Sequence, residues 1–424
     1  MKKLSVGVVG CGSGGPASAA MLARAGHDVV LFEEAPELTA VGAGILLQPT
    51  GMEVLHELDV LGRILDHGHP VHHLHGESAS GRMVLDIPYA DIEEGVHGLG
   101  MYRPTLLTIL VEAMAHYGAD LELGCPMMEI ERHGARSSLI ERHGRRRGPF
   151  DLVVLADGAR SHLRNRLGLA RRAEVYPWGA LFFIGEDRLA DAPSQTLSQV
   201  FRGSGTFAGL LPTGRGIDSP APLMSLFWSV RNDRVPQWRR EGLDHLAEQV
   251  VALMPEAESM VAQIPSMDAL MHARYLDVVL DRMWLPGIVC LGDHAHAMSP
   301  QLGQGVNMAL LDAQALAHAV DSHTHLSAAL GAFDAARRAH LDFYQPVNRL
   351  STPFFQSDLA PLGWFRDFAL SQVSRIPLLR RQQALTMAGL KTGPLTDRPV
   401  SRDVRTALLQ HAGQLEAATT STSH

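Results

Sequence analysis

The glycine run Gly10-Cys11-Gly12-Ser13-Gly14-Gly15 follows directly on the apolar stretch Leu4 to Val9. About 18 residues past Gly15, a second apolar run, Val29 to Phe32, ends in the acid Glu33. Strand, glycine turn, helix, strand and acid in that register open a dinucleotide-binding fold. The first glycine permits the tight turn, the second lets the backbone approach a pyrophosphate, and the third lets helix and strand pack closely. Free N–H groups at the start of the helix, expected from Ala17 to Ala25 before Gly26, then face the phosphate charge. Glu33 stands where a carboxylate accepts hydrogen bonds from ribose hydroxyls.

At 424 residues the chain is too long for one small core, and two or three packed units are expected. No stretch is apolar for the ~20 residues a membrane span requires, and the Met-Lys-Lys start runs straight into the glycine turn, so it reads as the first strand rather than a leader. Cys11, Cys125 and Cys290 are widely spaced and odd in number, which fits a reducing cytoplasm and argues against a disulfide framework. A net charge of −8 disfavours nucleic acid as a partner.

Residues 1–70, 97–170 and 285–345 read as three parts of one α/β, Rossmann-like domain. Residues 71–96 are an excursion into a second domain, and 171–284, rich in aromatics and alternating strands, supply most of its antiparallel substrate sheet. Residues 346–424 read as a helical segment whose last dozen residues are expected to be disordered. Met127 to Phe150 reads as a hairpin with a solvated basic tip at Arg145, Arg146 and Arg147.

Two further stretches carry chemistry. Leu152 to Ala156 is a buried strand ending in Asp157-Gly158, with Ser161 and Arg164 beyond it. Ile288 to Leu291 is another, followed by Gly292-Asp293-His294-Ala295-His296, then Pro300-Gln301-Leu302-Gly303-Gln304-Gly305-Val306-Asn307. Together with the glycine run, and in this order, they resemble the class A (single-component) FAD-dependent aromatic hydroxylases over about residues 1 to 345. The resemblance implies a fold with an FAD-binding Rossmann-like domain, an interleaved, mostly antiparallel substrate sheet and a C-terminal helical segment. It implies FAD as the bound cofactor and NAD(P)H as a transient co-substrate.

By that resemblance Gly10, Gly12, Ser13, Gly14 and Gly15 hold the pyrophosphate and Glu33 the ribose. Glu34 replaces a basic residue common at its position, which puts that neighbour's contact in doubt. Gln48 joins the cofactor set from a loop of small residues. Arg103, opening a helix, offers a guanidinium fork to the phosphates or ribityl chain. Asp157 and Gly158 organise the pyrophosphate region, Arg164 helps to receive the nicotinamide cofactor, and Asp293 accepts a hydrogen bond from the ribityl hydroxyls. Pro300, Gly303, Gln304, Gly305, Val306 and Asn307 bring backbone N–H groups and a helix start to the flavin ring, where the positive helix end favours charge at N1/O2.

The remaining signals are weaker. His67, His69, His72, His73 and His75 crowd into nine positions, and strand alternation puts His73 and His75 on one face. Metal binding needs convergent companions, and no metal is expected. His73, His75 and Tyr176 are candidates for a catalytic base, beside Pro300 and Gly303 at the ring. Trp364, Phe365 and Phe368 read as part of a lid or a homodimer-packing helix, with an interfacial membrane helix as the alternative.

The function the resemblance implies is hydroxylation of a small, phenolic aromatic substrate with NAD(P)H and O2, through a flavin C4a-hydroperoxide. Epoxidation or Baeyer–Villiger insertion by the same chemistry, and a non-catalytic flavin-binding protein, stay open as alternatives.

Overall fold

The structure, a computed structural model, describes residues 2–38, 42–188, 195–373 and 375–421. Its centre is a six-stranded sheet in the order Trp284–Leu285, Ile288–Cys290, Leu152–Leu155, Ser5–Val9, Asp28–Phe32, Asp120–Glu122. All neighbours run parallel except the edge pair Trp284–Leu285 and Ile288–Cys290. The central strands are apolar at nearly every position because both faces are covered, as parallel sheets require. On one face the helices Gly14–Arg24, Arg103–His116 and Gly305–Ser322 pack side by side. On the other lies a three-stranded meander, Met127–His133, Arg136–Glu141 and Arg146–Phe150.

The fingerprint helix starts at Gly14, three residues before the expected Ala17. Its first turn can be glycine because it leans on the preceding strand: a Cβ on Gly15 would stand 2.0 Å from the Gly10 carbonyl oxygen. The meander corrects the expected hairpin tip. Its third strand carries Arg147 back between Glu141 and Glu122, each 2.5 Å away, and beneath the Phe32 ring. Arg147 is therefore paired rather than solvated.

A second sheet has seven strands in the order Met271–Leu280, Ala170–Glu186, Pro222–Arg231, Thr206–Arg215, Thr196–Arg202, His73–Ser78, Met83–Pro88. Only Thr196–Arg202 and His73–Ser78 run parallel. One face packs on the helix Val235–Leu253 through Leu246, Val250 and Leu253 against Ala208, Leu210, Leu226 and Trp228. The opposite face meets a small sheet, Gly44–Leu47, Gly98–Tyr102 and His69–Val71, that joins it to the first domain.

The helix Leu326–Phe355 leads into Ala360–Val373, Pro377–Met387 and Arg402–Ser421. The tail expected to be disordered is helical through Ser421, and residues 422–424 lie outside the described residues. Among the described residues no helix is long and apolar enough to cross a membrane.

Candidate active site

The glycine turn is closely packed at Gly10, Gly14 and Gly15 and open at Gly12. Gly10 sits at φ +100°, and a Cβ there would strike the Ala156 carbonyl oxygen at 2.5 Å. A Cβ on Gly12 would meet nothing within 4 Å. Ser13 precedes the helix without a side-chain cap, and the first turn holds no acid, so the N–H groups of Gly14 and Gly15 lie at an uncapped positive end. Glu33 closes the turn from the next strand, accepting from the N–H of Cys11 at 2.7 Å and of Ala35 at 3.0 Å. Each of its oxygens keeps a lone pair for a ribose hydroxyl. Burial and then Glu33 push the Cys11 thiol up to about 12, so it is a neutral filler. Glu34 is exposed beside this site.

Asp157, at the end of the Leu152–Leu155 strand, is held from two sides. It accepts from Ser161 Oγ at 2.6 Å and from His294 Nδ1 at 2.5 Å. Gly158 takes the turn at φ +82°. Burial works against charge on both partners. It lowers His294, but Cys290 and Asp157 outweigh it and the imidazole rises to about 9. It raises Asp157, but His294 and Ser161 leave the carboxyl below its ordinary range. The pair is therefore imidazolium on carboxylate at neutral pH.

Arg164 departs from its expected role. It is 3% exposed, donating Nη1–H to the His294 carbonyl at 3.1 Å and Nη2–H to the Ala159 carbonyl at 2.7 Å. Its hydrogen bonds brace the two loops from beneath, and a guanidinium so enclosed does not face a transient nicotinamide.

Asp293 is exposed, and a Cβ on Gly305 would lie 3.8 Å from its Oδ1. Beneath it runs a buried network that sequence reasoning missed. The Asp312 carboxylate, 0% exposed, accepts from the Gly292 N–H at 2.7 Å, His296 Nε2 at 2.6 Å and Arg337 Nε at 2.6 Å. Burial opposes its charge, but His296 and Arg337 hold it far below the usual carboxylate range. Arg337 also donates to His340 Nδ1 at 3.1 Å, so the proton of His340 sits on Nε2 and reaches the Gly389 carbonyl, 3.1 Å away. Burial and Arg337 lower His340 to about 3, in keeping with that neutral tautomer. A signal was present in the sequence: Asp312 stands among Leu310, Leu311, Ala313 and Leu316 in an otherwise apolar stretch of the helix.

Pro300 is exposed at the start of a turn ending at Gly303, whose φ is +60°. A Cβ on Gly303 would meet nothing within 4 Å. The 18-residue helix from Gly305 has no acid in its first turn and no side-chain cap. Val306 is half-buried there. Asn307 fixes the loop, donating to the Leu46 carbonyl at 3.1 Å and the Gly303 carbonyl at 3.2 Å and accepting from the Gln48 N–H at 2.8 Å. Gln48 in turn accepts from the Tyr89 hydroxyl at 2.8 Å, and its Nε2 is buried without a partner among the described residues. Gln304 turns away, donating to the Met387 carbonyl at 2.6 Å, so its side chain serves the C-terminal helices. Arg103 is exposed at its helix start, with its aliphatic stem alongside Gly42.

Of the three candidate bases, Tyr176 lies nearest this loop in the hydrogen-bond network. Burial, then Asp277, raises the Tyr176 hydroxyl above its ordinary range beside Thr352. Thr352 Oγ1 lies 2.6 Å from the hydroxyl of Ser299, the residue before Pro300. His73 and His75 are a correction. They alternate with Leu74, which packs on Tyr89, Leu211 and Leu385 toward the first domain, and so they project from the opposite face, level with Thr196 and Ser198. Strand periodicity gives a shared face; it does not say which face meets the cofactor.

These residues fit FAD. The open space at Gly12 and Gly303, the uncapped helix starts at Gly14 and Gly305, and the carboxylates of Glu33 and Asp293 suit phosphates, an electron-rich ring edge and sugar hydroxyls respectively.

Residues 3–347 match the family of the FAD binding domain. The chain is 29% identical to the aurachin C monooxygenase/isomerase of Stigmatella aurantiaca over 346 residues, 79% of this chain and 85% of that protein. It is 26% identical to the 6-hydroxynicotinate 3-monooxygenase of Pseudomonas fluorescens over 354 residues, 79% of this chain and 88% of that one. The fold superimposes on Klebsiella pneumoniae HpxO, solved with FAD and uric acid, at a TM-score of 0.75 and 20% identity, covering 92% of this chain and 98% of that one.

Proposed function

The chain belongs to the FAD-binding family of class A flavoprotein monooxygenases, and from that premise we propose that it hydroxylates a small phenolic or heteroaromatic ring with NAD(P)H and O2. The observation that carries the reading is the open, glycine-lined space at Gly303, beside Asp293 and in front of the uncapped helix at Gly305. Bound FAD would supply the redox chemistry, accepting a hydride from NAD(P)H and activating O2 for transfer to a ring carbon.

The protein's part is position and charge. Gly12 and the N–H groups of Gly14 and Gly15 would hold the pyrophosphate, Glu33 and Asp293 the sugar and ribityl hydroxyls, and Arg103 a phosphate. The helix at Gly305 would favour negative charge at the ring edge. Tyr176, half-buried with its hydroxyl enclosed near Thr352, would hold or pass the phenolic proton of the substrate. The relatives named for 6-hydroxynicotinate and aurachin C support an oxygen-bearing aromatic substrate. The free cysteines Cys11, Cys125 and Cys290 support a cytoplasmic protein.

The test is a screen of phenols, hydroxypyridines and quinolones for stimulated NAD(P)H oxidation, with mass spectrometry of each ring compound. Gain of one oxygen drawn from labelled O2 is the expected result. Oxidation of NAD(P)H with peroxide as the sole oxygen product across the screen would contradict the reading.

A further inference from the structure

We propose that His73, His75 and Asp86 form a binding site for a divalent transition-metal ion, of the zinc class, on the face of the substrate sheet turned away from the first domain. His73 and His75 are two residues apart on one strand and therefore point the same way. Asp86 lies on the neighbouring edge strand directly across from His75. One ligand atom from each of the three falls within 4.8 Å of the others. His73 Nε2 already reaches Asp86 Oδ1 at 2.7 Å, and the two imidazole rings are 5.8 Å apart.

A tetrahedral ion with bonds of about 2.0–2.1 Å needs its ligands roughly 3.3 Å apart. Side chains that are about one-third exposed can close that gap by rotation, without moving the strands. Two imidazoles and one carboxylate select zinc, copper, nickel or cobalt over calcium or magnesium, which prefer all-oxygen sets. Three protein ligands leave a position for solvent, and the adjoining cavity of about 310 Å³, lined by His75, Glu77, Ser198 and Glu256, has room for it.

The site joins the edge strand Met83–Pro88 to its neighbour next to an irregularity in their pairing at Gly76 and Glu77. It faces away from Leu74 and Ile87, which pack toward the first domain. Metal binding here is thus separable from the cofactor cradle. An ion would replace the His73–Asp86 hydrogen bond and hold two strands where a ladder is weakest.

The test is calorimetric titration of zinc into the FAD-loaded, untagged full chain, repeated with His73→Gln, His75→Gln and Asp86→Asn. The expected result is one equivalent bound by the wild type and affinity at least tenfold weaker in each variant, with flavin content unchanged. Cobalt bound to the wild type should give a ligand-field absorption band that zinc displaces, a readout that does not depend on any variant. No binding of either ion by the wild type would overturn the proposal. So would zinc affinity unchanged in all three variants, which would move the ion to others of the 22 histidines.

Discussion

Asp157 Oδ1 and His294 Nδ1 lie 2.5 Å apart and join two loops separated by 137 residues of sequence. One loop ends the Leu152–Leu155 strand, and the other carries Asp293. With Arg164 bracing both from beneath, the pair sets where the Asp293 carboxylate stands relative to the glycine turn. Replacing His294 with Ala leaves the Asp157 carboxylate largely buried with Ser161 as its remaining side-chain partner. The expected cost is about 3 kcal/mol, within the range for breaking a buried pair, measured by urea unfolding of the apoprotein.

The same pair makes stability depend on pH. His294 is raised to about 9, so its contribution is complete below the ordinary imidazole value and is lost as pH climbs through about 9. Asp157 is lowered, so its contribution is present above the ordinary carboxyl value and is lost as pH falls below it. Urea unfolding from pH 6 to 10 should show wild-type stability falling on the alkaline side by on the order of 3 kcal/mol. In His294→Ala that decline should flatten.

Asp312 is the deeper anchor. Substituting Arg337 with Met leaves the carboxylate fully buried with His296 and the Gly292 N–H, and removes the donor to His340. A loss of about 3–5 kcal/mol is expected. Asp312→Leu with Arg337→Met should recover part of it, because the uncompensated charge is gone.

Asp293→Ala should leave the apoprotein as stable as the wild type, because the side chain is exposed. It should weaken FAD binding roughly tenfold to a hundredfold, the worth of a hydrogen bond to a charged group. Flavin fluorescence titration with parallel melting curves separates the two effects.

What the sequence made legible were the backbone constraints. Gly10 and Gly15 are glycine because carbonyl oxygens stand where a Cβ would be; the glycine fingerprint marks both positions, although only the oxygen facing Gly15 is local and the one facing Gly10 belongs to Ala156. The positions of Asp157 and Asp293, each just past an apolar strand of the parallel sheet, were readable from the hydrophobic pattern. Contacts made across the fold were not. Arg164 reads as an exposed motif arginine until the His294 carbonyl arrives from 130 residues away. Alternation placed His73 and His75 together but could not tell the helix-covered side of the sheet from the side packed toward the first domain. The tail, polar in composition, is helical through Ser421 because Val404 and Leu408 are buried in the main core.

The most direct measurement titrates FAD into apoprotein of the wild type and of Gly12→Ala side by side. A Cβ on Gly12 would meet nothing in the protein within 4 Å, so Gly12→Ala leaves the fold undisturbed and adds a methyl where the pyrophosphate is proposed to lie. One FAD bound per wild-type chain is expected. Gly12→Ala should show an unchanged melting temperature with FAD bound roughly tenfold to a hundredfold more weakly. Equal affinity in the two proteins, or no binding by the wild type, would contradict the proposed FAD site.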